Sequence, residues 1–500
     1  MDVIVILNRR QALKSITAAA ALAGRAKAAS TTFQPNWESL QQYRCPEWFR
    51  NAKFGIWAHW GPQCGPRQGD WYARNMYIQG SRQNKFHVAK YGHPSQFGYK
   101  NVIPFWTAHH WEPETLIRRY KKAGARYFVS LGAHCDNFDC WNSKHHRWNA
   151  VNFGPRRDVV GTWRRLAREH NLRFGVTEHL AWTYDWFNVN KGADQTGPYA
   201  GVPYDGNDQR FQDLYHEPHP EHQASYPLHP SERFQTSWFD RVKDLIDQNQ
   251  PDLIYTDGGA FGQVGLDLIA HYYNANMDWH KGVLDGVYTI KNQPPKSHIG
   301  DFQPGATSLD VERGVVADIW PEPFQTDTCI GNWFYYDGIE YKKPSTVIHT
   351  LIDVVSKNGN LLLNFPLLPD GTLDSKEESI LEEITQWMAI HGEAIFDTRP
   401  WTRYGEGPTK VVVGLLTEKN QAPYSAQDIR FTTKQGKLYV FCLGWPTDDV
   451  VVSGAPENVT NVRLLGSDEK LHWTLSSGSL RITAPARKTS EHAVAFALTV

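Results

Sequence analysis

After residue 50 the hydrophobic and polar positions fall into two alternating rhythms. Short apolar runs read as buried strands, and longer stretches with apolar residues three and four apart read as amphipathic helices. Phe54-Gly55-Ile56-Trp57 is the first such strand. A helix is expected over 113–123, then a strand over 127–131. The next helix spans 159–170 with Asp158 placed to cap its first turn, and a strand follows over 174–177. A long helix at 230–248 leads into the strand Leu253-Ile254-Tyr255-Thr256. A strand at 287–290, a helix at 345–357 and a strand at 360–364 continue the series. Repeated strand-helix units predict a parallel sheet, and a span of about 350 residues suits a (β/α)8-like barrel with insertions. Residues 189–230 break the rhythm. They are rich in Gly, Pro, Asp and His, the texture of an active-site wall or a mobile insertion.

Near residue 393 the pattern changes to short runs separated by turn residues, at 410–414, 429–432, 438–441, 462–464, 480–482 and 493–496. That predicts an all-β module, a C-terminal β-sandwich. The organisation expected is therefore an export signal over 1–30, a (β/α)8-like catalytic domain over 34–392 and a sandwich over 393–500.

Composition narrows the function. Fifty-two basic and 53 acidic residues nearly cancel, which argues against nucleic acid or an anionic membrane as the main partner. Twenty Trp, 22 Tyr and 23 Phe suit a site that packs aromatic faces on sugar rings, although a large core also uses them. Asn8-Arg9-Arg10-Gln11-Ala12-Leu13-Lys14 is a twin-arginine pattern. A mildly apolar stretch and Ala26-Lys27-Ala28 follow, so an exported bacterial protein, periplasmic or secreted, is expected. The alternative is an amphipathic N-terminal helix. The apolar stretch is too short to span a bilayer. The six cysteines match no zinc-finger spacing and imply no disulfide framework.

In a (β/α)8 barrel the chemistry sits at the C-terminal ends of the strands. Those positions carry His59, His134-Cys135-Asp136, Glu178-His179 and Asp257-Gly258-Gly259. Asp257 follows an apolar strand directly, and two glycines after it permit close approach of backbone or substrate. An ordinary Asp-Gly turn is the competing reading. Glycoside hydrolysis requires a second carboxyl group. Glu312 and Glu322 are the candidates at later strand ends, and Glu312 also suits a surface pair with Arg313. His134, Cys135, Asp136, Cys140, His145 and His146 have zinc-ligand types but no recognised zinc spacing. Neighbours on a strand end point in different directions, so His134 beside Cys135 makes no nucleophilic dyad.

The motifs taken together resemble a known family. Trp48-Phe49-Arg50-Asn51-Ala52-Lys53-Phe54-Gly55-Ile56-Trp57-Ala58-His59-Trp60-Gly61-Pro62 is similar to the opening of the α-L-fucosidases of glycoside hydrolase family 29. So are Trp141-Asn142-Ser143-Lys144, Gly154-Pro155-Arg156-Arg157-Asp158, Pro251 to Gly259, Asn358 to Asn364 with Pro369-Asp370-Gly371-Thr372, and Arg399-Pro400-Trp401. The resemblance implies a (β/α)8-like domain with a C-terminal β-sandwich, and double displacement without metal or cofactor. It implies a retaining, exo-acting enzyme that removes terminal α-L-fucosyl residues from a fucosylated oligosaccharide or polysaccharide. It places the nucleophile on Asp257. The acid/base falls on Glu312 in preference to Glu322, and it must begin protonated. The resemblance puts sugar contacts on His59, Asp70, Trp71, His134, Cys135, Glu178, Tyr255 and Trp333. Three departures stand out. Cys135 replaces a second histidine, Thr177-Glu178 replaces a tyrosine pair, and no arginine counterpart appears near Lys291-Asn292-Gln293. They motivate two alternatives, a related glycone such as α-L-galactose or a decorated fucoside, and a non-catalytic carbohydrate-binding protein.

Overall fold

The structure, a computed structural model, describes residues 32–220, 230–292 and 301–500. The expected export signal lies outside the described residues. Eight parallel strands close into a barrel in chain order: β1 (Phe54–Ala58), β2 (Tyr127–Ala133), β3 (Arg173–Glu178), β4 (Leu253–Thr256), β5 (Val287–Lys291), β6 (Ser308–Asp310), β7 (Phe324–Cys329) and β8 (Gly359–Asn364). β8 pairs back onto β1, Phe54 opposite Leu361.

Strand side chains alternate between faces, and the alternation organises the molecule. Trp57, Tyr127, Val129, Leu253, Tyr255, Val287 and Leu362 pack together inside the barrel. Their neighbours Ile56, Phe128, Phe174, Val176, Ile254, Ile290, Leu361 and Leu363 join the larger cluster under the surrounding helices. The expected helices appear as Pro113–Lys122, Val159–Glu169, Glu232–Asn249 and Pro344–Ser356. Asp158 caps its helix by accepting from the Gly161 N–H at 2.8 Å.

Two strands were not visible as apolar runs. β6 and β7 carry Asp310, Gln325, Thr326, Asp327 and Thr328, all buried. Gln325 Nε2 donates to Asp310 Oδ2 at 2.8 Å, Tyr127 donates to Gln325 Oε1 at 3.1 Å, and Tyr255 donates to Asp327 Oδ2 at 3.2 Å. Part of the barrel interior is thus polar and largely paired within itself, although Asp310 Oδ1 and Asp327 Oδ1 have no hydrogen-bond partner among the described residues.

The C-terminal module contains β9 (Gly405–Glu406), β10 (Ile429–Lys434), β11 (Lys437–Cys442), β12 (Val450–Ser453), β13 (Asn461–Leu464), β14 (Trp473–Ser476), β15 (Ser479–Ile482) and β16 (Val494–Thr499). They form a five-stranded sheet, β13-β16-β11-β10-β9, and a three-stranded one, β12-β15-β14, over a core that includes Phe431, Val440, Val452, Leu464, Leu480 and Phe496. A buried ion pair, Arg430 to Asp353 at 2.6 Å, ties it to the barrel. The run at 410–414 departs from expectation, since it is not a strand. Gln421 takes the place a partner strand would have, its side chain accepting from the Val412 N–H at 3.0 Å. Val412 and Val413 stay exposed. Among the described residues no helix is long and apolar enough to cross a membrane.

Candidate active site

The inward-facing register of the strands continues past their C-terminal ends. Trp57 leads to His59, Thr177 to His179, Tyr255 to Asp257, Thr289 to Lys291 and Asp310 to Glu312, each two residues on. Gly258, at φ +129°, turns the chain after Asp257 in a conformation that suits glycine. Its carbonyl accepts from the Lys291 N–H at 2.7 Å, which holds β5 against this turn.

Lys291 is the hub of one side of the cleft. Its buried ammonium donates to Asp257 Oδ1 and, at 2.7 Å, to Glu312 Oε2. The two bonded oxygens therefore stand no more than about 6 Å apart, twice a hydrogen-bond length. The other Asp257 oxygen lies 3.0 Å from His179 Nδ1. The Asp257 main chain is fixed too. Its N–H donates to Glu178 O at 3.0 Å, and its carbonyl accepts from Trp182 Nε1 at 2.6 Å.

These contacts set the charges. Burial alone would raise the Asp257 carboxyl, but the Lys291 ammonium and the His179 ring outweigh it and hold the group well below the usual carboxylate range. Burial would depress the Lys291 ammonium, but Asp257, Glu312, Asp327 and Asp310 together hold it well above its ordinary value. Deeper in the barrel, burial pushes Asp310 up to about 6 despite Lys291. At the rim, burial raises Asp70 to about 7. The Trp71 N–H works against that shift, and the charge on Glu312 adds to it.

The opposite side is built of rings, with neutral imidazoles at His59 and His134. His59, His134 and His179 pack with centroids 4.8 to 5.1 Å apart. Trp57 lies under them, and Trp333 and Phe334 stand 5.5 and 4.7 Å from His59. A bulge in β2 between Leu131 and Ala133 re-aims the chain before His134, a common device beside active sites. Gln63 Nε2 lies 2.7 Å from His134 Nδ1. Burial, then the neighbouring imidazoles His134 and His179, pushes His59 well below the usual histidine value, so its ring stays neutral. Among the described residues, neither ring nitrogen of His59, nor Nε2 of His179, has a hydrogen-bond partner. A buried polar atom without a partner is costly, and in a cleft such atoms are placed to meet a ligand.

Most of the expected residues converge here. Tyr255 lies beneath the Lys291 ammonium, 5.5 Å from its ring centre. Trp333 lies 5.2 Å from Trp57. Trp71, in a left-handed conformation at φ +62° and partly exposed, meets Trp186 edge-on. Cys135 is buried, its thiol 3.6 Å from the His179 carbonyl.

Two residues go elsewhere. Glu178 faces outward, in the register of Phe174 and Val176, and accepts from Leu180 N–H at 2.9 Å and Trp238 Nε1 at 3.2 Å. Strand alternation turns it away from the cleft and puts His179 inside. Glu322 precedes β7 at the opposite end of the barrel, exposed and 3.7 Å from Arg50. Of the two acid/base candidates only Glu312 reaches Asp257. His179 and Lys291 were missed as site residues, although the two-residue period was the available signal for both. Cys140, His145 and His146 assemble no ligand set with His134. Cys140 packs at the Trp60 carbonyl, and His146 Nε2 pairs with Asn137 O at 2.8 Å.

Comparison with known proteins adds to this geometry. The family model for alpha-L-fucosidase matches residues 20–393, and that for the alpha-L-fucosidase C-terminal domain matches residues 421–500. Plasma alpha-L-fucosidase of Homo sapiens is 25% identical over 483 residues, covering 91% of this chain and 89% of that protein. Tissue alpha-L-fucosidase of Mus musculus is 26% identical over 463 residues, covering 88% of each. The crystal structure of Thermotoga maritima alpha-fucosidase in complex with fucose superposes with a TM-score of 0.72 at 25% identity, over 93% of this chain and 100% of that one.

Proposed function

The chain belongs to the α-L-fucosidase family, and we propose that it is a retaining, exo-acting α-L-fucosidase with Asp257 as nucleophile and Glu312 as acid/base. The observation that carries this reading is the pair of carboxyl groups held on one ammonium. Retaining glycosidases place their two carboxyls about 5–5.5 Å apart and inverting ones about 6.5–9.5 Å apart. The limit of about 6 Å between the bonded oxygens favours the first.

Asp257, held ionised by Lys291 and His179, attacks the anomeric carbon from one side. Glu312 gives its proton to the glycosidic oxygen as the C–O bond breaks, and the aglycone leaves as an alcohol. The product is a glycosyl ester on Asp257. Glu312, now a carboxylate, takes a proton from water as that water attacks the same carbon, which frees Asp257 and restores the protonated acid. Two inversions return the original anomeric configuration. His59, His134 and His179 present ring nitrogens to the sugar hydroxyls, and Trp71 and Trp333 face its apolar side. No step calls on a cofactor.

Asp257→Ala is expected to lower turnover of an aryl α-L-fucoside by roughly 10⁴-fold or more. Azide should partly rescue Asp257→Gly. Turnover that survives intact in Asp257→Ala would overturn the assignment.

A second reading keeps the chemistry and changes the glycone to α-L-galactose or a decorated fucoside. Cys135 supports it, because a buried thiol is a weaker hydrogen-bond donor than an imidazole N–H. A panel of aryl glycosides separates the two. Binding of fucosides with no turnover on any member would instead favour a carbohydrate-binding role. The twin-arginine segment supports export to the periplasm or beyond, and a reporter fused to residues 1–30 tests this by its dependence on the twin-arginine pathway.

A further inference from the structure

The segment that leaves the barrel for the sandwich returns to the loop that bears Glu312. Gly414 N–H donates to Val315 O at 3.0 Å, Leu416 N–H to Glu312 O at 2.8 Å, and Glu418 N–H to Arg313 O at 2.9 Å. The approach is so close that a Cβ on Gly314 would lie 1.9 Å from the Gly414 carbonyl oxygen. Both sides of this short ladder carry large residues in the left-handed region, Arg313 at φ +45° and Leu416 at φ +57°. Such conformations persist only where surrounding contacts hold them, and they gather at functional sites.

Leu415 packs on the cluster that contains Val311 and Val316, but its neighbours lie open. Leu416 is 61% exposed and Val413 50%. A cavity of about 450 Å³ opens beside the segment, lined in part by Arg313, Lys342, His349, Glu418 and Tyr424. The Glu418 carboxylate is the anchor. It meets Arg313 Nε at 2.9 Å and Lys342 Nζ at 2.6 Å, and accepts from Thr328 Oγ1 at 2.7 Å. Burial would raise that carboxyl, but Lys342 and Arg313 hold it below its ordinary value. Arg313 in turn covers the Trp333 ring at 5.3 Å from its centre and donates to the Gly331 carbonyl at 3.2 Å. One side chain from outside the barrel thus touches the residue next to Glu312 and, through it, the aromatic side of the cleft.

We propose that Glu418 is a positioning residue for catalysis, and that the 414–418 segment fixes where the Glu312 carboxyl meets the glycosidic oxygen. This rests on Glu312 as the acid/base. The contact makes proton delivery depend on the connection between the two domains.

The test uses the full chain and a set of aryl α-L-fucosides of graded leaving-group acidity, with α-L-fucosyl fluoride as the substrate that needs no proton. Glu418→Gln keeps the shape and removes the charge, and Glu418→Ala removes the anchor. For phenol-like leaving groups kcat should fall by about 10- to 100-fold in Glu418→Ala, with a smaller fall in Glu418→Gln and little change in KM. For the fluoride, kcat/KM, which reports formation of the glycosyl ester alone, should stay at the wild-type value. Equal loss on every substrate, or no loss on poor leaving groups in folded protein, would overturn the proposal. Far-UV circular dichroism identifies the folded variants. Glu312→Ala, run in parallel, separates the two claims. If it shows the leaving-group dependence and the Glu418 variants do not, only the positioning role fails. If Glu312→Ala shows none, the acid/base assignment itself is wrong.

Discussion

The two sides of the cleft treat their polar atoms differently. On the side of β4 to β6, Asp257, Lys291 and Glu312 satisfy one another, and the carboxylates beneath them add to the field on Lys291. On the side of β1 to β3, His59 and His179 keep ring nitrogens with no hydrogen-bond partner among the described residues. The charged side is organised before any ligand arrives, which is how a site lowers a barrier without reorganising during the reaction. The neutral side is incomplete on its own, which is how a site distinguishes one pattern of hydroxyls from another. Breaking the first side should change the chemistry and its pH dependence. Breaking the second should change binding.

Apart from the nucleophile itself, the largest effect is expected at Lys291. Lys291→Met leaves two carboxyls facing each other without their shared cation. Turnover should fall by about 100- to 1,000-fold, the cost of losing one organised donor at a reacting group. The pH profile gives the direction. Lys291 helps hold the Asp257 carboxyl low against the effect of burial. Without it the nucleophile protonates at higher pH, so the acidic limb of kcat/KM moves upward. A limb that stays in place would mean that Lys291 does not control the charge on Asp257.

On the neutral side, His59→Ala should lower kcat/KM by roughly 10- to 100-fold, the loss of one hydrogen bond in a desolvated site. The acidic limb should stay where it is in the wild type, since the charged side is intact. A shifted limb in His59→Ala would break the division between the two sides.

The legibility of these sides in the sequence also differs. The strands that carry the neutral side and Asp257 are apolar, so β1 to β4 and their helices could be read from periodicity. β6 and β7 could not, because their inward residues belong to the polar interior. The same cause hid Lys291, which looks like a strand-end surface residue until four carboxyl groups are placed around it. Glu178 and His179 show a finer point. Both follow the same strand, and the acidic residue suggested chemistry. Position decided against it, because Phe174 and Val176 already mark the even register as the one that faces the helices. The 410–414 run read as a strand because three valines in a row have high β-propensity, and propensity does not say whether a partner strand is present.

That correction yields a smaller and sharper prediction. Glu178→Ala should leave kcat/KM for the aryl fucoside close to the wild-type value. It should destabilise the fold by about 1–3 kcal/mol, because the Trp238 and Leu180 N–H groups lose their buried acceptor. Urea midpoints check the stability and initial rates check the activity. A large rise in KM with unchanged stability would return Glu178 to the sugar site.

The smallest effect follows from the unpaired imidazole itself. His59 sits among Trp57, Trp333 and Phe334, surroundings that suit a benzene ring better than a polar one. Burial keeps it neutral in the folded protein, well below the ordinary value of 6.5. The unfolded chain takes up a proton there as pH falls through about 6.5, and the folded chain does not. Unfolding is therefore favoured by acid, at about 1.4 kcal/mol per pH unit below that point until the folded value is reached. His59→Phe removes this term and an unpaired polar group together. It should lose at least as much kcat/KM as His59→Ala and be more stable than the wild type at pH 7, with a margin that widens by about 1.4 kcal/mol between pH 6 and pH 5. Urea melts at the three pH values measure it. Parallel stability curves for the two proteins would mean that His59 is not held neutral by the fold. A variant less stable at pH 7 would mean that the imidazole is satisfied in the resting site, and that the two sides of the cleft are more alike than their hydrogen bonds suggest.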